Sequence, residues 1–368
     1  MFFPGTNYSK TGERTETVGV IAMEKRFSRR KSLDFAKGFA ILLMLFAHTI
    51  PDVTGIKIFI FSFHMQIFFV ICGVLMQKKY GEERISASEF WKGFKKRLRQ
   101  LAVPYLVFSL VLAFFYTILE AISGNRIEIA SRLLRILSLR GIDSMWFIPV
   151  YFFAEVLMRG ISVCPRWKLV SWILTGACFF FVVLFADRLP ARELYRFLLR
   201  VAIGFSFIAL GRFLERYQFV ERIHPALALI MLAAGAVLTR INGFSALGSL
   251  EIQNGVLFFL NAAIISIAIL AFCSVLEKSG FKGKLLSFYG RNTIVILCTN
   301  NLLIEAIRLL DHKFTGDWLL HAGLPGCFVF SLILILAEYP LIRLSEGKLR
   351  FLFGKQMASK SGCLDHNV

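Results

Sequence analysis

Apolar residues fall along this chain in blocks of roughly twenty, each closed by charged or turn-forming residues, which is the length a helix needs to cross a bilayer. The blocks run near residues 35–50, 56–77, 101–121, 145–163, 169–186, 197–214, 225–239, 255–276, 293–310 and 326–344. None alternates with the period of two expected of a membrane β-barrel strand, so helices are the spanning element. The pattern predicts an all-α polytopic membrane protein, a bundle of about ten transmembrane helices. The segments between blocks reach only roughly 20 to 25 residues. No soluble domain fits in them, and any chemistry has to take place within or against the bundle. Residues 1–28 are polar and lack the apolar core of a signal peptide. The expected organisation is a partly disordered N-terminal tail over 1–28, a membrane domain over 29–345 and a second tail over 346–368.

Composition supports this reading. Apolar residues make up 57% of the 368 positions, with 39 Phe, and the mean hydropathy is +0.65, more than a soluble domain can hide. The charge adds orientation. With the N-terminus inside, 30 of the 43 Lys and Arg fall on that side of the membrane, 12 on the other, and Lys37 sits within the first block. Cytoplasmic loops carry the basic excess, so both termini are expected in the cytoplasm. The net charge of +19 then serves orientation and attraction to anionic membrane lipids, not nucleic-acid binding. The seven cysteines show neither a CxxC pair nor metal-ligand spacing, which indicates neither disulfides nor a metal site.

Polar groups inside spans are costly and mark candidate function. Asp34 and Lys37 lie at the inner mouth of the first span. His48 follows 14 residues after Asp34, about 21 Å farther at 1.5 Å per residue. His64 lies about 12 Å down the returning second span, so two antiparallel neighbours bring both imidazoles to similar depth. A lone intramembrane histidine often does no more than hydrogen-bond a carbonyl; two at matched depth argue for an acid–base pair. Ser62 is expected to bond back to its own helix, and Cys72 beside Gly73 to be a close-packing position. Arg188, Arg192, Glu193, Arg196 and Arg200 cluster on the outer side against the positive-inside trend, as either a grip for an anionic acceptor or a solvated salt-bridge cluster.

Several segments together resemble a known family. Arg29, "LDFAKGFAILLMLFAH" ending at His48 and "FSFHMQIFFVICGVLM" from Phe61 are similar to the opening two helices of the acyltransferase-3 family of integral membrane O-acyltransferases, which includes bacterial sugar O-acetyltransferases. "FKKRLRQLAVPY" at 94–105, "MWFIPVYFFAE" from Met145 and "GRNTIVILCTNN" from Gly290 resemble later family segments, so the likeness spans residues 29–345. Three departures stand out. Gln66 replaces the usual proline, which would soften a kink in the second helix; Cys72 replaces a common serine; and Asn300 or Asn301 falls where many members place another histidine.

The resemblance implies transfer of an acetyl or other acyl group from cytosolic acyl-CoA, a co-substrate and not a bound cofactor, to a hydroxyl of a cell-surface glycan or lipid-linked precursor, in a multi-pass protein of the bacterial plasma membrane. Acyl transfer needs a base for the hydroxyl proton, donors for the oxyanion and a grip on the donor. His48 is the expected base, His64 its positioning partner, and Asp34 a further catalytic residue in a charged inner mouth with Arg29 and Lys37, which are expected to bind the donor. Asn300 and Asn301 are expected to bind the acceptor, as orienting or oxyanion groups. The basic segment from Lys78 to Arg99, read as a loop, offers Lys95, Lys96, Arg97 and Arg99 to the donor's phosphates, or to anionic lipids. Trp146 is either an interfacial belt residue or a platform for the acceptor sugar. The competing class is a transporter of a lipid-linked sugar or small acid, with the histidines relaying protons; the two halves of the chain show no repeat of the histidine segments, which weighs against it.

Overall fold

The computed structural model describes residues 30–50, 54–185 and 192–354. Arg29, Arg188, the tail over 1–28 and residues 355–368 lie outside the described residues. The described chain is helical, with an isolated bridge between Ala246 and Glu251 as its β pairing. All ten expected blocks appear as helices long and apolar enough to cross a membrane, and two of them differ from the sequence reading.

The first span is α1 (Lys31–Thr49). The second is broken into α2 (Gly55–Phe61) and α3 (Gln66–Tyr80) by a turn over Ser62–Met65. The softer kink expected without proline is thus a four-residue turn, across which the Ser62, His64 and Ile67 amides still donate four residues back at 3.2, 3.1 and 3.0 Å. At this turn the Ser62 hydroxyl donates to the Phe59 carbonyl oxygen at 2.7 Å, and the Phe63 amide turns to Ile60 at 3.3 Å, three residues back. A side-chain donor that competes for helix carbonyls in this way bends or interrupts the ladder. His64 therefore lies in the break itself.

The third span, α4 (Ala87–Ile122), begins well before residue 101, so the basic segment is largely helix and not loop. A reciprocal capping box starts it: Ser86 Oγ accepts from the Glu89 amide at 3.2 Å, and Glu89 accepts from the Ser86 amide at 3.1 Å. Phe94, Arg97, Leu101 and Tyr105 recur at helical spacing on the inward face, while Lys95, Lys96 and Arg99 are exposed. The remaining elements are α5 (Ile129–Leu137), a 3-10 turn (Asp143–Trp146) leading into α6 (Phe147–Ile161), α7 (Trp167–Phe185), α8 (Glu193–Arg216) and the short α9 (Phe219–Arg222). Then follow α10 (Pro225–Asn242), α11 (Gly255–Lys278), α12 (Lys284–Arg291), α13 (Thr293–Thr315), α14 (Trp318–His321) and α15 (Gly323–Glu346). The final tail begins packed, because a 3-10 turn over Arg350–Phe353 sets Phe353 against Phe108 of α4 at 4.9 Å between ring centroids.

Two backbone-to-backbone contacts fix the centre. A Cβ on Gly73 of α3 would sit 2.0 Å from the Ile208 carbonyl oxygen of α8, and one on Gly211 of α8 would sit 2.0 Å from that of Val70. The same occurs between α1 and α12, where a Cβ on Gly290 would meet the Asp34 carbonyl oxygen at 1.9 Å. Small residues permit such approach between membrane helices, and Cys72 is buried beside this contact, as the sequence suggested. The start of α1 is closed by Glu277 of α11, whose carboxylate accepts from the Lys31 and Ser32 amides at 2.8 and 3.0 Å.

At the same end of the bundle, Glu155 of α6 is buried and accepts from Arg97 at 3.0 Å and from Arg159 at 2.6 Å. Arg159 also donates to the Tyr80 hydroxyl at 2.9 Å. Glu155→Ala leaves two guanidinium groups facing each other without the carboxylate, and removing one partner of a buried ion cluster costs about 3–5 kcal/mol. The expected result is a clear drop in the thermal midpoint of the detergent-solubilised protein. An unchanged midpoint would show that the cluster is not structural.

Candidate active site

A cavity of about 480 Å³ lies at the far end of the bundle from Glu155, between the last turns of α1 and the end of α2. Met44 and His48 of α1 form one wall, and Phe61, His64 and Met65 at the helix break form the next. The Phe61 ring stands between the two imidazoles, its centroid 6.0 Å from that of His48 and 4.9 Å from that of His64. The matched depth expected from the sequence is therefore realised as a shared cavity.

The two rings are held differently. His64 is buried and its Nδ1 lies 2.9 Å from the Ile60 carbonyl oxygen. A carbonyl only accepts, so Nδ1 carries the proton and Nε2 is left with its lone pair. The bland expectation for an intramembrane histidine is met by that bond, yet the same ring also lines the cavity. His48 is partly exposed and makes no hydrogen bond to the described residues, so both of its nitrogens are available to a substrate.

The opposite wall is α13, which presents Leu297, Asn301, Glu305 and Arg308 along one face. Ser144 in the 3-10 turn ties this helix to α6: its hydroxyl donates to the Leu297 carbonyl oxygen at 2.9 Å and accepts from Asn301 Nδ2 at 2.9 Å. Asn300 Oδ1 accepts from the Asn301 amide at 2.8 Å, while Asn300 Nδ2 is buried with no partner. Where family members place a late histidine, this chain thus carries an amide pair anchored to Ser144. Tyr116, near the end of α4, donates to Asp143 at 2.6 Å, and Arg308 donates to Glu305 at 2.9 Å.

A loop over residues 243–254 covers the opening. It is closed on itself by paired Ala246–Glu251 backbone bonds of 2.9 and 3.2 Å. Arg200 and Arg196 of α8 hold it from behind, Arg200 donating to the Gly248 carbonyl oxygen at 2.5 Å and Arg196 to that of Ser249. Gly248 lies flat on Trp146, since a Cβ there would be 3.1 Å from the indole, and the Arg200 guanidinium sits 5.4 Å from the same ring. The outer arginines therefore fasten the loop. Each gives one guanidinium nitrogen to the loop, and the Nε of each is buried without a hydrogen-bond partner among the described residues.

His48, His64, Trp146 and Asn301 come together, with Asn300 directly behind. Asp34 and Lys37 do not join them: they pair with each other at 3.0 Å toward the other end of α1, about 21 Å along the helix. Lys95, Lys96 and Arg99 are exposed at that same far end, and Arg97 is committed to Glu155. Sequence reasoning missed Tyr116, Asp143, Glu251, Glu305 and Arg308. Asn301, Glu305 and Arg308 recur at i, i+4 and i+7 on an otherwise apolar helix, a polar stripe legible in the sequence. Glu251 had no such signal, because its place depends on how the loop folds back.

Ten membrane-length helices among the described residues, with a cavity lined by two imidazoles, the Asn301 amide and ionisable side chains, define an integral membrane protein with a candidate site inside its bundle. A model of the acyltransferase-3 family, described as an acyltransferase domain, matches residues 30–338, and the chain belongs to that family. It is a multi-pass membrane acyltransferase. No curated protein and no solved structure matches it.

Proposed function

We propose that this protein is an O-acyltransferase that moves an acyl group, acetyl in the first instance, from cytosolic acyl-CoA to a hydroxyl of a cell-surface glycan or its lipid-linked precursor at the bacterial plasma membrane. The observation that carries the reading is the pair of imidazoles on one cavity. His48, with both nitrogens uncommitted, takes the proton of the acceptor hydroxyl as its oxygen attacks the thioester carbonyl carbon. The C–S bond breaks, and the protonated His48 returns the proton to the departing thiolate. His64, its tautomer held by Ile60, accepts a hydrogen bond at Nε2 and positions the acceptor. The Asn301 amide, on the cavity wall, is a donor for the oxyanion, with Asn300 supporting it from behind.

The donor enters from the basic end, with both termini cytoplasmic. There Lys95, Lys96 and Arg99 are exposed on α4 and suit phosphate groups. The same helix, with Pro104 inside it, carries Tyr116 to the cavity, about 28 Å from Arg97 at 1.5 Å per residue, so one element joins the donor's entry face to the acceptor site. Asp34 and Lys37 belong to that entry face and not to the reacting centre.

Inside-out membrane vesicles from cells that make the protein, given acetyl-CoA labelled in the acetyl group, are expected to incorporate label into glycan in a form released by mild base, as an ester is. Label confined to protein or to free acetate, with the protein present, would contradict the reading.

A further inference from the structure

The turn over Ser62–Met65 deprives the start of α3 of its usual bonds. Across it the Ser62, His64 and Ile67 amides reach carbonyls four residues back, and those of Phe63 and Phe68 reach carbonyls three residues back. The Met65 and Gln66 amides make no hydrogen bond among the described residues, and no side chain caps α3. The first N–H groups of a helix point back along its axis and carry its positive end. Here that end meets the cavity, whose lining includes His64 and Met65. An imidazole nitrogen stands beside them: His64, only 5% exposed, gives Nδ1 to Ile60 and keeps Nε2 without a partner among the described residues. Buried polar groups are normally paired. Two main-chain donors and a ring nitrogen left open together on one cavity mark the place where a ligand supplies the partners.

We infer that the start of α3 is a main-chain oxyanion hole: the Met65 and Gln66 amides hold the carbonyl oxygen of the acyl thioester. The inference rests on the acyl-transfer reading and adds to the Asn301 amide a pair of donors from the backbone. As the acceptor oxygen adds to the thioester carbonyl carbon, the π pair moves onto the carbonyl oxygen, and the two N–H groups donate to it. When the C=O bond re-forms, the C–S bond breaks, and the departing thiolate takes the proton held by His48. Main-chain donors suit this task because they are in place before the charge develops, and a helix start favours an anion through its dipole as well. Position 66 matters for its backbone. Proline, the usual residue there by family resemblance, has no N–H, so glutamine gives this chain a donor that proline would remove. Its side chain is fully buried, has no partner among the described residues on either Oε1 or Nε2, and is not part of the cavity lining.

The test separates the N–H from the side chain, using the full-length protein in lipid nanodiscs. Gln66→Leu breaks no side-chain hydrogen bond among the described residues and keeps the backbone N–H. Gln66→Pro removes that N–H at the first position of a helix, where proline breaks no ladder bond. Gln66→Leu is expected to turn over within a few-fold of the parent, and Gln66→Pro to lose about 10²-fold in kcat, the effect of deleting one oxyanion donor, with KM for acyl-CoA little changed. An ester in place of the 65–66 amide deletes the same N–H without the ring and should reproduce the loss, which covers any disturbance of Met65 by proline. A second readout needs no turnover. A non-reactive ketone analogue of acetyl-CoA, carbon-13 labelled at the carbonyl, is bound without acceptor. Its infrared C=O band is expected to move to lower frequency on the parent and on Gln66→Leu, and to move less on Gln66→Pro and on the ester. Gln66→Pro and the ester as active as Gln66→Leu, or a bound analogue whose band does not move on the parent, would overturn the inference. No transfer by the parent with the carbonyl shift intact would count against the proposed reaction alone.

Discussion

Replacing His48 with alanine lowers acyl transfer by about 10²- to 10⁴-fold, the range expected when a positioned general base is removed. The loss falls on kcat, with little change in the apparent affinity for acyl-CoA, since His48 lies at the opposite end of the bundle from the basic face. His48 is partly exposed to the cavity and makes no hydrogen bond to the described protein, so the variant should fold and express normally. His48→Gln does not rescue, because an amide offers no basic lone pair at neutral pH. Turnover measured on purified protein checks both variants; full activity in His48→Ala would remove this residue from the chemistry. His64→Ala carries a second cost, because it also deletes the bond that closes the turn at Ile60.

Gly211→Leu should be the most damaging change far from the cavity. The side chain would have to occupy the place of the Val70 carbonyl oxygen, 2.0 Å from its first carbon, and neither helix backbone can yield without separating α3 from α8. Forced overpacking of this kind costs about 3 kcal/mol or more. The consequence reaches the active site from both sides, since α3 begins at the break that holds His64 and α8 carries the arginines that fasten the covering loop. The expected result is little or no monodisperse protein after detergent extraction. Gly176→Leu on α7 is the control, for a Cβ there meets nothing within 4 Å, and it should extract and melt like the parent. Equal behaviour of the two variants would show that the α3–α8 contact does not set the packing.

The ten spans could be read from the chain because a bilayer demands a fixed apolar length, whatever the helices later pack against. The break at Ser62–Met65 could not. It is marked by the bond from the Ser62 hydroxyl to the Phe59 carbonyl oxygen, but Ser171, Ser206 and Ser331 make the same kind of bond inside uninterrupted helices. Charge density misled the reading of residues 78–99, where a run of lysines and arginines looks like a loop. The better signals were Ser86 and Glu89 at capping-box spacing and the recurrence of Phe94, Leu101 and Tyr105. The partner of Arg97 is a glutamate in another span, and no local pattern announces a pairing across 58 positions. The histidine pair was legible because two short antiparallel segments leave little freedom in relative depth. The covering loop was not, since it is held by carbonyl groups that every residue possesses.

The two imidazoles act as one unit on this account, His48 moving the proton and His64 holding the acceptor in line. The most direct measurement is a double-mutant cycle on turnover, with purified parent, His48→Ala, His64→Ala and the pair in nanodiscs under saturating acyl-CoA. The prediction is strong non-additivity: the double variant is no slower, within a few-fold, than the slower single one, as found for catalytic groups that work together. Losses that multiply would mean that the residues act independently, and the shared site drawn between α1 and the broken second span would be contradicted.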